Sequence, residues 1–155
     1  MIGHSLGGAA AGLALACGLR ADCAVLVAPA ADPVDAGRRF AQMIGLSGHL
    51  RRRMFASFEE RLSIRFADFQ AEHNAPAINR PALIVHDLED REVPWSEGER
   101  WARYWHRARL LSTRGLGHHR ILGDPEVIAA SLAFLRGQAV GERLVSSPDR
   151  ALGVA

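Results

Sequence analysis

The sequence contains no lysine; all 19 of its basic side chains are arginine, which reads as a coding bias rather than a functional choice. It has only two cysteines, Cys17 and Cys23. Two cannot build the disulfide framework of a small secreted domain, and they read as free thiols in a reducing cytoplasm. No stretch approaches the ~18 consecutive apolar residues of a membrane span. No basic region followed by an apolar run opens the sequence, so no signal peptide is expected. Charge of one sign is also lacking. The 19 basic and 17 acidic residues leave a net +2, too little for charge-driven binding of nucleic acid or membrane. The Arg51-Arg52-Arg53 triplet reads as a solvated helix face.

What is present is an ordinary globular composition, 48% hydrophobic and 23% charged over 155 residues. That suits one domain and excludes a disordered or fibrous chain. Residues 6–17 are rich in Ala and Leu and predict a buried helix stopped at Gly18. Three short runs, 23–28, 82–86 and 108–113, predict strands, the first two fully buried. Between the first two lies an insert, 32–78. Phe40, Met43 and Ile44, then Leu50, Met54, Phe58 and Leu62, recur there at helical spacing, with Ser47 as an N-cap. Two or three amphipathic helices are expected. Ser96 and Glu99 predict a capping box opening a helix with Trp101, Tyr104 and Trp105. Asp124-Pro125-Glu126 opens a last helix, ending near Arg136. Residues 137–155 are polar and aperiodic, and a loose tail is expected. Strands alternating with helices imply an α/β fold with a parallel sheet of about three strands.

Gly3-His4-Ser5-Leu6-Gly7 matches G-x-S-x-G. In that pattern a serine stands on a strained strand-to-helix turn, and flanking glycines let strand and helix approach. The Leu6 N–H then lies near the serine oxygen at a helix N-terminus, where it can stabilise an oxyanion. Chance supplies about 0.08 such matches in a chain of this composition, so the motif alone leaves open a plain helix start with an N-cap serine. Two downstream loops carry further weight. His86-Asp87-Leu88-Glu89-Asp90-Arg91-Glu92-Val93-Pro94 follows one strand, and Arg114-Gly115-Leu116-Gly117-His118-His119 follows the next. Loops at the carboxyl ends of parallel strands are where such sheets hold ligands. Asp87, Glu89 and Asp90 compete as the acid, and His118 and His119 as the base. His4 and His86 read as packing residues. No pattern of metal ligands is found, and neither metal nor cofactor is expected.

These three motifs, in this order, resemble those of the α/β-hydrolase superfamily across residues 2–136. Asp87 departs from the glycine usual in the second motif. The resemblance implies Ser5 as nucleophile, Asp90 as orienting acid, His118 as base and Leu6 N–H as an oxyanion donor. Asp90 is favoured by its spacing to Val93-Pro94, and His118 by Gly117 before it. It implies a serine hydrolase, most simply a carboxylic-ester hydrolase acting through an acyl-enzyme on a small-molecule substrate, with 32–78 as a helical lid. It also implies that residues 1–136 are the C-terminal part of a larger domain. The strand before the elbow is then nearly absent, and the second oxyanion donor with it. The competing expectation is a catalytically incompetent fragment, or a half that needs a partner. Slow turnover and self-association through an open sheet edge follow from that expectation.

Overall fold

In the computed structural model, which describes residues 1–144, the two most apolar runs become the middle of a sheet. The strands are β1 (Ile2–His4), β2 (Ala24–Val27), β3 (Ala82–Asp87) and β4 (Ala108–Thr113), adjacent in that order and all parallel. Helix α1 (Leu6–Ala16) follows β1. Helices α2 (Pro33–Met43), α3 (Gly48–Leu62) and α4 (Ala71–Asn74) lie between β2 and β3. Helix α5 (Trp95–Tyr104) joins β3 to β4, and α6 (Gly117–Arg120) and α7 (Pro125–Leu135) come last.

Every residue of β2 and β3 is buried, because helices cover both faces of the sheet. The strand period of two sorts their side chains. Ala24, Leu26, Ala82 and Ile84 pack with Ala11 and Leu15 of α1 and with Trp101 and Trp105. Val25, Val27, Leu83 and Val85 pack with Ile121 and with Val127 and Phe134 of α7. Each fully buried Leu or Ile side chain contributes roughly 1.5–3 kcal/mol.

The sheet has four strands rather than about three. Residues 2–4 suffice for the fourth, because Val25 N donates to Met1 O at 2.9 Å and Ser5 N to Val27 O at 2.9 Å. The insert holds α2 and α3, then a 3-10 turn at Phe66–Phe69 and the single turn of α4. Asp32 caps α2 through its side chain, and Ser47 Oγ accepts from Leu50 N at the start of α3. Helix α7 opens at Asp124-Pro125-Glu126 as expected, and there the Asp124 side chain accepts from Glu126 N and Val127 N at 3.0 Å each.

The expected capping box at Ser96 does not form. Helix α5 begins two residues earlier, with Pro94 at the N-cap and no side-chain cap. Glu97 is buried instead. It accepts a 2.7 Å hydrogen bond from Ala31 N and pairs with Arg39 of α2. Part of the segment expected to be loose is docked. Leu110 and Glu142 exchange two backbone hydrogen bonds of 2.7 Å, and the Arg109 guanidinium donates to the Val140 and Gly141 carbonyls. The Leu110 N–H and carbonyl on the outer side of β4 thereby find partners. Residues 145–155 of that segment lie outside the described residues.

Candidate active site

The turn between β1 and α1 places Ser5 at φ 54°, ψ −124°, a conformation that a residue with a Cβ rarely adopts. Backbone bonds enforce it. The Ser5 carbonyl accepts from Gly8 N at 3.0 Å and Ala9 N at 3.2 Å, while its N–H is held by Val27. Strand and helix approach so closely that a Cβ on Gly3 would lie 2.6 Å from the Gly7 carbonyl oxygen. Ser5 sits at the N-cap of α1 but makes no side-chain capping bond. Asp32, Ser47 and Asp124 at other helix starts all do. The Ser5 hydroxyl is therefore not consumed by the helix. The Leu6 N–H lies in the first turn of α1, where helical N–H groups have no intrahelical acceptor.

The loop after β3 carries the acidic candidates, and their hydrogen bonds separate them. Asp90 is buried. Its Oδ1 accepts from Glu92 N and Val93 N, both at 2.9 Å, and its Oδ2 accepts from His118 Nδ1 at 2.7 Å. Asp87 is buried too but does other work. It accepts from Glu89 N, Thr113 Oγ1 and Leu116 N, tying the ends of β3 and β4 to the loop that leads to His118. Burial pushes its pKa up, yet the hydrogen bonds from Thr113, Leu116, Glu89 and Gly117 outweigh that and hold it below the usual carboxylate value. Glu89 pairs with Arg114 in solvent, 3.0 Å away.

His118 is on α6 and buried, and His119 next to it is largely exposed, paired with Glu92 at 2.9 Å. With Nδ1–H donated to Asp90, the other His118 nitrogen, Nε2, is left as an acceptor. Ser5 and His118 line one cavity of about 600 Å³, with Leu6 and Ala30 and with Arg39, Phe40 and Met43 of α2. Among the described residues Ser5 Oγ makes no hydrogen bond to His118. An apolar cavity of about 380 Å³ adjoins, sharing Leu6, Ala30 and Ala36 and walled by Leu13, Phe66 and Phe69.

Two histidines expected only to pack also touch this assembly. His4 Nε2 lies 3.0 Å from the His118 carbonyl oxygen, to which it donates. His86 is fully buried, with Nε2 2.9 Å from the Val93 carbonyl and 3.5 Å from Asp90 Oδ2. Burial lowers its pKa despite the nearby Val93 carbonyl, Asp90 and Glu97, so it is neutral. The buried Glu97 that anchors the loop after β2 was not anticipated; its partner Ala31 is 66 residues away, and no local pattern points to it.

No protein-family model matches the chain, and no curated protein sequence matches it. Solved structures do. The chain is similar to an acetyl xylan esterase from Paenibacillus sp. R4, with TM-score 0.63, 20% identity and coverage of 88% of this chain and 44% of that one. It is similar to MGS-MChE2, an α/β hydrolase enzyme from a lagoon-sediment metagenome, with TM-score 0.59, 18% identity and coverage of 88% and 59%. It is also similar to the acylaminoacyl peptidase of Pyrococcus horikoshii, with TM-score 0.64, 13% identity and coverage of 88% and 22%. Eight of the solved structures it resembles are spanned over only 22% to 66% of their own length. The fold of this chain is that of the α/β hydrolases.

Proposed function

We propose that the protein is a serine hydrolase, most simply a carboxylic-ester hydrolase. The observation that carries this reading is the 2.7 Å bond between Asp90 and His118, with His118 and the uncapped Ser5 lining one cavity. In the proposed reaction His118 Nε2 takes the Ser5 proton as Oγ attacks the acyl carbon. Asp90 holds the imidazole in that tautomer and stabilises the imidazolium. Negative charge on the tetrahedral oxygen faces the Leu6 N–H. Collapse breaks the ester C–O bond, and His118 returns the proton to the departing alkoxide. Water, deprotonated by His118, then hydrolyses the acyl-Ser5 ester and releases the acid.

The segment 32–78 serves as a lid, with α2 supplying Arg39, Phe40 and Met43 to the cavity wall. The apolar space beside it suits an acyl or alkyl group. Free thiols at Cys17 and Cys23 accord with a reducing cytoplasm. The second reading, a catalytically incompetent chain, is favoured by one observation, the missing bond between Ser5 and His118. Hydrolysis of a short-chain p-nitrophenyl ester separates the two. We expect turnover that His118→Ala reduces by about 10³-fold or more and that His119→Ala changes by less than about tenfold. Equal losses at both positions would reverse the choice of base, and no Ser5-dependent turnover would favour the second reading.

A further inference from the structure

We propose that His4 is a positioning residue that sets His118 over Ser5, a role that rests on the serine-hydrolase reading above. The sheet poses a problem of reach. Ser5 follows β1 at one edge, and His118 follows β4 at the other. With strands about 4.8 Å apart, those edges are about 14 Å from each other. The base must lean across β2 and β3 to meet the nucleophile.

Two groups hold it there, and they act on different parts of the residue. Asp90, from the β3 side, grips the imidazole at Nδ1. His4, the last residue of β1 and the neighbour of Ser5, grips the main chain by donating Nε2–H to the His118 carbonyl at 3.0 Å. The His4 ring also lies against the His118 ring, with centroids 4.6 Å apart and planes tilted 42°. Since Ser5 and His118 share no hydrogen bond, the His4 bond is a direct polar tie between the strand bearing the nucleophile and the turn bearing the base. It spans 114 residues of sequence. Asp90 holds the ring, and the His4 bond holds the backbone from which that ring projects.

The expected consequence is specific to alignment. A misplacement of about 1 Å between reacting groups can cost about 10²-fold in rate without weakening substrate binding. His4→Phe keeps a ring of similar shape and removes the donor. His4→Gln keeps a donor at comparable reach. On a short-chain p-nitrophenyl ester, His4→Phe should lower kcat between about tenfold and a hundredfold with KM within about twofold. His4→Gln should recover most of the loss. A packing role alone predicts the reverse order, with Phe tolerated and Gln harmful, and that order would overturn the proposal. A second measurement does not depend on turnover. In 15N-labelled chain, His4→Phe should shift the backbone amides of residues 117–120, while His4→Gln leaves them near their original positions. Unshifted amides in His4→Phe overturn the proposal even if the unmodified chain hydrolyses nothing. Absent hydrolysis with shifted amides places the failure in the functional reading instead.

Discussion

Asp87 and Asp90 stand three residues apart, are both buried and both accept three or more hydrogen bonds, yet only one of them meets a histidine ring. The difference lies in what each carboxylate reaches: Asp87 closes β3 against β4, and Asp90 turns back to His118. Behind Asp90 stands the buried, neutral His86, and it makes stability depend on pH. Unfolded, its imidazole protonates near its ordinary value of 6.5; folded, it resists the proton, chiefly because it is buried. The unfolded state therefore binds more protons below about pH 6.5, and stability falls as pH drops through that value. Above it the contribution is constant. We expect the urea midpoint to decline between pH 7.5 and 5.5, and the decline to be shallower in His86→Gln. An identical decline in both proteins would show that His86 is not the group responsible. Ser5, Asp90 and His118 could all be singled out from the sequence because each sits in a short motif whose spacing is local. His4, Asp87 and Glu97 could not be assigned their contacts in this way. Their partners, His118, Thr113 and Ala31, are 114, 26 and 66 residues distant.

At the scale of elements, patterning anticipated β2 and β3 because a fully covered parallel strand reads as an unbroken apolar run, whereas the three residues of β1 are too few to show a pattern. The helix starts were harder. Asp124 before Pro125 has no rival, and the helix begins there. At α5 Pro94 takes the N-cap position expected for Ser96, and Glu97 is buried against Ala31 and Arg39. Substitution distinguishes a used cap from an unused one. Asp124→Ala should cost about 0.5–2 kcal/mol, because two N–H groups of α7 lose their acceptor. Ser96→Ala, at an exposed position that caps nothing, should stay within about 0.5 kcal/mol of the unmodified protein. Chemical denaturation of the two variants checks both; a larger loss at Ser96 would restore the capping box. The insert is bound to the rest of the fold by charge as well as packing. Arg100 of α5 meets Glu72, Asp32 and Asp35, and although burial works against its charge, these carboxylates raise its pKa. Such a network joins residues far apart in sequence and left no local trace to read.

In the whole molecule, β4 is partly covered by residues 140–142, whereas among the described residues β1 pairs with β2 alone. Its outer backbone groups, with Ile2 65% exposed and Leu6 75% exposed nearby, form a short apolar edge. Such edges recruit further strands, and we propose that a second copy of the 155-residue chain pairs there. Sedimentation velocity should show association that rises with concentration and falls in Ile2→Lys; a monomer at all concentrations would contradict this. The proposed chemistry turns on a single atom, Ser5 Oγ, and one measurement reaches it without requiring rapid turnover. Incubation with a fluorophosphonate, followed by intact-mass and peptide mass spectrometry, should reveal one covalent adduct per chain, on Ser5, absent from Ser5→Ala. An unmodified chain, or an adduct that survives Ser5→Ala, would show that Ser5 is not the nucleophile.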